Sequence, residues 1–185
     1  MAAGGVIDAR RARALGIAAS ALLVIAAIFL ATLGDDGDEE ARAAAVAAHF
    51  VSASELSDRE AELDHPIYWA GPRPPLRLEL SEPADGSVYL RYLPSGVVAG
   101  DPRVGFLTVG TYPVADAVGA LRRTAAAAGV SLGSTAGGGV VLPNPSSRGS
   151  VYLAYPGSDL QVEVYDPAPG RALRLIRSGQ IGPVG

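Results

Sequence analysis

The sequence predicts an α+β fold, with an N-terminal transmembrane helix followed by a mainly antiparallel sheet of about six strands and two helices on one face. Three observations predict it. Residues 14–34 are apolar and uncharged, hydrophobic residues alternate from Ile67 onward, and a strand-strand-strand-helix order occurs twice. The two βββα repeats cover about residues 74–129 and 137–179.

The uncharged run at residues 14–34 is long enough, as a helix, to cross a hydrocarbon core of about 30 Å. Three arginines precede it and five acidic residues follow it within residues 35–40. The positive-inside rule therefore predicts a cytoplasmic segment at residues 1–13, a single-pass anchor in the cell membrane and a C-terminal domain outside. A cleaved signal peptide is the alternative, but its apolar core is only about 7 to 15 residues long.

An acidic, partly helical connector is predicted at residues 35–65, where ten acidic residues oppose two arginines. Its alanines favour a helix from about Glu39 to Ser54, which acts as a stalk or packs lightly on the domain. The extracytoplasmic α+β domain follows at residues 66–185. This domain carries ten arginines against eight acidic residues, so it lacks the strongly basic face expected of a nucleic-acid-binding protein.

The first repeat begins with a strand in which leucines at positions 76, 78 and 80 alternate with polar residues. A turn at 83–86 leads to a strand at 88–92 and then to a third strand at 106–111. Pro113 opens a helix that Gly129 stops. The pattern therefore predicts three antiparallel strands followed by one helix.

The second repeat matches the first, since Gly149-Ser-Val-Tyr-Leu-Ala-Tyr is identical to Gly86-Ser-Val-Tyr-Leu-Arg-Tyr except at its sixth residue. It is about ten residues shorter, and the loss falls where residues 97–103 lie in the first copy. A strand at 139–142 precedes it, and Asp166 is the predicted N-cap of a last helix with Leu173 and Ile176 inward. Chance recurrence of a hairpin sequence is the alternative.

Five residues are the candidates for binding an envelope protein or a small ligand: Tyr68, Trp69, Tyr89, Arg91 and Tyr152. Tyrosine and arginine are favoured in recognition surfaces, and the strand alternation places Tyr89, Arg91 and Tyr152 on the sheet face opposite the helices. A solvated sheet face with cross-strand pairs is the alternative interpretation. Trp69 alternatively packs against the edge of the core.

The composition offers few of the residue types that usually perform catalysis. The chain contains no cysteine and two histidines, which excludes disulfide scaffolds, thiol catalysis and Cys-ligated zinc. No catalytic residues, metal site or cofactor are predicted. An envelope hydrolase using His65 with Glu79 or Asp101 is one alternative function, and a structural or self-associating spacer is another.

Arginines recur at positions 171, 174 and 177 along the last predicted helix. They suit an anion or an acidic lipid head group, or simply a solvated helix face. The oligomeric state is not predicted by the sequence.

The run His65-Pro-Ile-Tyr-Trp-Ala-Gly-Pro72, together with 89–94, 106–113 and 151–157, resembles a group of uncharacterised actinobacterial proteins that are membrane-anchored or secreted. The resemblance covers about residues 64–185. It implies a location at the cell envelope and brings no activity, ligand or site residue with it.

Overall fold

The computed structural model describes residues 48–185, which fold as an α+β domain with a large antiparallel sheet. The predicted segments at residues 1–13 and 14–34 lie outside the described residues, and among residues 48–185 no helix has the length and apolarity that a membrane crossing requires. The strands in this part of the chain are β1 (His49–Val51), β2 (Tyr68–Trp69), β3 (Arg77–Ser81), β4 (Val88–Leu93), β5 (Thr108–Pro113), β6 (Gly133–Ser134), β7 (Val140–Pro143), β8 (Ser150–Ala154), β9 (Leu160–Tyr165) and β10 (Gly182–Pro183).

Eight of these strands form one sheet in the order β1-β3-β4-β5-β9-β8-β7-β6, and every neighbouring pair is antiparallel. The six predicted strands occupy its middle, with β1 and β6 added at the edges. Because β5 and β9 pair at the centre, the sheet has a first half (β3–β5) and a second half (β7–β9). The remaining strands, β2 and β10, form a separate two-stranded sheet.

Three helices accompany the strands in the described residues: α1 (Ala53–Glu62), α2 (Ala117–Ala128) and α3 (Arg171–Arg177). α1 begins with a capping box, in which the Ser52 hydroxyl accepts from the Glu55 amide and the Glu55 carboxylate accepts from the Ser52 amide. α2 ends at Gly129, where a φ of +64° favours glycine. The predicted end of that helix is thereby confirmed. Its predicted start at Pro113 is wrong, because Pro113 belongs to β5 and the helix begins after the N-cap Asp116.

The two faces of the sheet are covered by different helices. The α1/α3 face carries Leu80, Leu90, Val109, Val164 and Val151, which share one core with apolar residues of α1 and α3. On the opposite side, the α2 face carries a second core in which α2 covers the second half of the sheet, with these members from the strands: Leu142, Tyr152 and Ala154.

The prediction that both repeat helices lie on one face is therefore wrong. Strand β8 explains the difference, because its alternating residues are apolar on both sides: Leu153 belongs to one core and Ala154 to the other. Burial of both faces requires cover on both sides. A single helical layer would have left Leu142 in water, whereas it is fully buried under α2.

The predicted helix at 39–54 is wrong over its described part, since His49–Val51 is a strand paired with β3 and the helix begins only after Ser52. Residues 39–47 lie outside the described residues. Leu56 of α1 is fully buried in the core, so this part of the expected connector packs firmly on the domain.

α3 also begins later than predicted, with Gly170 rather than Asp166 as its N-cap. Asp166 instead accepts from the Ala168 amide, which closes a turn before the helix.

Candidate recognition surface

A buried ion pair occupies the α2 face of the first half of the sheet. Arg91 Nη1 lies 3.0 Å from Glu79 Oε1, and the two side chains are 12% and 1% exposed. Glu79 Oε1 has no hydrogen bond of good geometry, so the attraction is mainly between charges, while Oε2 accepts from the Gly100 amide at 2.6 Å. Arg91 also donates to the carbonyls of Asp101 and Arg103.

These contacts come from the loop between β4 and β5. The loop contains residues 97–103, and it lies across Arg91 and Glu79. Arg103 binds Asp101 at 2.8 Å, and this partner lowers the pKa of the Asp101 carboxyl to about 2. The loop therefore buries a charged pair that the alternation of the sequence predicted to face outward.

A row of polar side chains continues across the same face. Tyr89 of β4, Gly110 of β5, Glu163 of β9 and Tyr152 of β8 are register neighbours in that order. The row needs glycine at its centre, because a Cβ at position 110 would lie 2.5 Å from the hydroxyl oxygen of Tyr112. That hydroxyl donates to Glu163 Oε2 at 3.3 Å.

Burial raises the pKa of the titratable groups in this row. It raises the pKa of the Glu163 carboxyl, although hydrogen bonds from Ser150 and Tyr112 act in the opposite direction. It also raises the pKa of the tyrosines at positions 89, 112 and 152. All three hydroxyls therefore stay protonated at neutral pH. The row is a closed polar core without an opening for a partner, since Tyr89 and Tyr152 are only 5% and 3% exposed.

Tyr68 and Trp69 lie on the other side of the sheet. The Tyr68 amide donates to Thr111 Oγ1 at 3.1 Å, which holds β2 against the α1/α3 face of β5. The Tyr68 ring stacks on Tyr155, with centroids 6.2 Å apart and planes 18° apart. Tyr68, Trp69 and Tyr155 are all partly exposed and pack their buried portions on the core. We call these three residues the aromatic patch.

The structure does not bring the five sequence-predicted residues together. Tyr68 and Trp69 belong to the aromatic patch, whereas Tyr89 and Tyr152 are buried on the α2 face and Arg91 is half-buried there. Sequence reasoning missed Tyr155, although its place in the second repeat corresponds to that of Tyr92 in the first. Tyr92 is buried and accepts from the Ala70 amide at 2.8 Å, and burial raises its pKa to about 12.

Helices of opposite charge stand on either side of the aromatic patch. α1 carries four acidic residues against Arg59, and Glu60 anchors it by accepting from three amides: Ile67 (2.7 Å), Val184 (3.2 Å) and Gly185 (2.8 Å). α3 carries three arginines and no acidic residue. Two shallow clefts of about 200 and 280 Å³ border α1. They are smaller than the roughly 300 to 1,000 Å³ typical of small-molecule sites.

His65 does not pair with either carboxylate that was a candidate partner in an envelope hydrolase. The two ring nitrogens of His65 lie 3.1 Å from the Pro66 carbonyl oxygen and 3.2 Å from the Gly86 carbonyl oxygen. Both nitrogens therefore contact the backbone. Glu79 binds Arg91, and Asp101 binds Arg103, so neither carboxylate partners His65. Among residues 48–185, no group of three or more potential ligand side chains is placed to hold a metal ion.

Comparison of the chain with protein-family models, with curated proteins and with solved structures finds no match.

Proposed function

We propose that this protein is a single-pass membrane protein of the cell envelope whose extracytoplasmic domain binds a protein partner through the aromatic patch. The observation that carries the proposal is the partly exposed stack of Tyr68 on Tyr155 beside Trp69. Tyrosine and tryptophan are enriched among the residues that contribute most to protein interfaces. A protein partner is favoured over a small ligand because the two clefts that border α1 are small and shallow.

The anchor in this proposal is the apolar segment at residues 14–34, with residues 1–13 in the cytoplasm. The support is the change from three arginines before the segment to a strongly acidic stretch after it. The two βββα units belong to the same proposal as copies of one ancestral repeat. Proteolysis of intact spheroplasts tests the orientation, since an external protease should degrade the domain while the first 13 residues stay protected.

A photo-crosslinking amino acid at Trp69 tests the binding surface in living cells. We expect a discrete adduct at position 69 and none at Val98, which is 68% exposed on the loop that covers the opposite face. The variant Tyr155→Ala should weaken the adduct, because it removes the ring on which Tyr68 stacks. Equal adducts at positions 69 and 98, or none at 69 in a folded protein, would contradict the proposal.

A further inference from the structure

We infer that the partner of the aromatic patch is a second copy of this chain, related by a two-fold axis through the patch. The inference rests on the proposed function and names its partner. Its basis is the order of three elements on the α1/α3 face and the charges that they carry, which together form a self-complementary surface.

The three elements lie side by side on the α1/α3 face. α1 borders β1 and β3, because the cleft beside it is also lined by Val51 and Leu80. β2 lies against β5 at the centre of the sheet, as the bond from Tyr68 to Thr111 demonstrates. α3 packs on β8 and β9. The layer therefore runs from an acidic helix, through the aromatic strand, to a basic helix.

Part of the charge at each end has no ion-pair partner among the described residues. On α1, Asp58 is exposed and makes no ion pair with a described residue, whereas Glu62 binds Arg59 at 2.6 Å. On α3, Arg171 lies 3.4 Å from Asp166, whereas Arg177 is exposed and makes no ion pair with a described residue. Arg174 makes only a 3.4 Å contact with a backbone carbonyl. The exposed charge that has no ion-pair partner among the described residues is therefore negative on α1 and positive on α3.

A two-fold rotation about β2 places α1 of one copy on α3 of the other, and α3 of the first on α1 of the second. Such an isologous contact is the commonest arrangement in homodimers. Both charged contacts then match in sign, and the two aromatic patches meet at the centre, where interface residues contribute most. A flat anionic membrane surface fits less well, because attraction to α3 would be opposed by repulsion of α1.

Charge exchange within one chain tests the inference in the full-length protein in detergent micelles, with sedimentation as the measurement. The α1 variant carries Asp58→Arg and Glu62→Arg, and the α3 variant carries Arg174→Glu and Arg177→Glu. We expect each variant to weaken dimerisation at least about tenfold, since like charges would then face each other. The chain with all four substitutions keeps the wild-type net charge and should recover to within about threefold of wild type.

Engineered cysteines provide a second test that does not require charge reversal, because the chain has no cysteine of its own. A mixture of an Asp58→Cys chain and an Arg174→Cys chain should give a covalent heterodimer with a short bismaleimide, and the mixture of Asp58→Cys with Val98→Cys should not. Monomeric wild-type protein at low salt, or a four-substitution chain that stays monomeric while folded, would overturn the inference. If the adduct at Trp69 then contains a different protein, the proposed function stands and the self-association fails.

Discussion

The two halves of the sheet share a strand pattern but are covered in different ways on the α2 face. In the first half, Arg91 and Glu79 form an ion pair beneath the β4–β5 loop. In the second half, Ala154 occupies the position that corresponds to Arg91, and it is fully buried beneath α2. A helix needs a small apolar residue at this place, whereas a loop rich in backbone carbonyls can solvate an arginine.

The same strand pattern can therefore be covered either by a loop or by a helix. The β4–β5 loop covers part of the first half of the sheet, as α2 covers the second half. The helix that follows β5 is α2, and the helix that follows β9 is α3. These two helices pack on opposite faces of the sheet. The four predictions below test the two halves against each other.

The largest effect is expected from Arg91→Ala, which leaves Glu79 as an unpaired buried charge in the first half. We expect the free energy of unfolding to fall by about 3 to 5 kcal/mol. Urea denaturation followed by Trp69 fluorescence measures the change. The double variant Glu79→Leu with Arg91→Met should lose less, because it removes both charges. An equal loss in the two variants would show that packing, not charge, holds this half.

A smaller loss is expected from Leu121→Ala, which opens a cavity between α2 and the second half of the sheet. Leu121 is 2% exposed, so we expect a loss of about 3 kcal/mol in the free energy of unfolding. The matched change in the loop cover is Val98→Ala, which should alter the stability by less than about 0.5 kcal/mol because Val98 is exposed. Similar losses from both changes would mean that the loop packs as tightly as the helix.

Tyr89 and Tyr152 occupy corresponding positions in the two halves, and removal of the hydroxyl should change the stability by different amounts at the two positions. The Tyr152 hydroxyl accepts from Asn144 at 2.8 Å, so Tyr152→Phe should cost about 1 kcal/mol. Among the described residues, the buried Tyr89 hydroxyl has no hydrogen bond of good geometry, so Tyr89→Phe should be neutral or slightly stabilising. Thermal unfolding of the two variants measures the difference, and a greater loss from Tyr89→Phe would reveal a partner at that hydroxyl.

The smallest effect concerns pH and the row that joins the two halves. The pKa of Glu163 is raised in the folded state, so its contribution to stability is complete below the ordinary value of 4.5 and is lost as the pH rises through the raised value. Glu163→Gln should therefore gain stability relative to wild type as the pH increases from 4.5 to 8. Denaturation at several pH values measures this trend, and a constant difference would contradict it.

Much of the strand architecture was predictable from local pattern. The alternation of leucines from position 76 and the two Ser-Val-Tyr-Leu runs identified strands β3, β4 and β8, and the stop at Gly129 was correct. β1 was not predictable, because its alanine-rich surroundings favour a helix and only pairing with β3 makes His49–Val51 a strand. The candidate site was half predictable, since Tyr68 and Trp69 were selected and Tyr155 was not.

The sequence by itself determined which residues share a face of each strand, because alternation along one strand is a local property of the backbone. Only the tertiary structure decided which face each helix covers and therefore which tyrosines reach the solvent. The sequence Ser-Val-Tyr-Leu occurs twice, and in both places a second tyrosine follows two residues after the leucine. That second tyrosine is buried at Tyr92 and partly exposed at Tyr155. That difference arises from distant residues, since the amide of Ala70 binds Tyr92 while the ring of Tyr68 stacks on Tyr155.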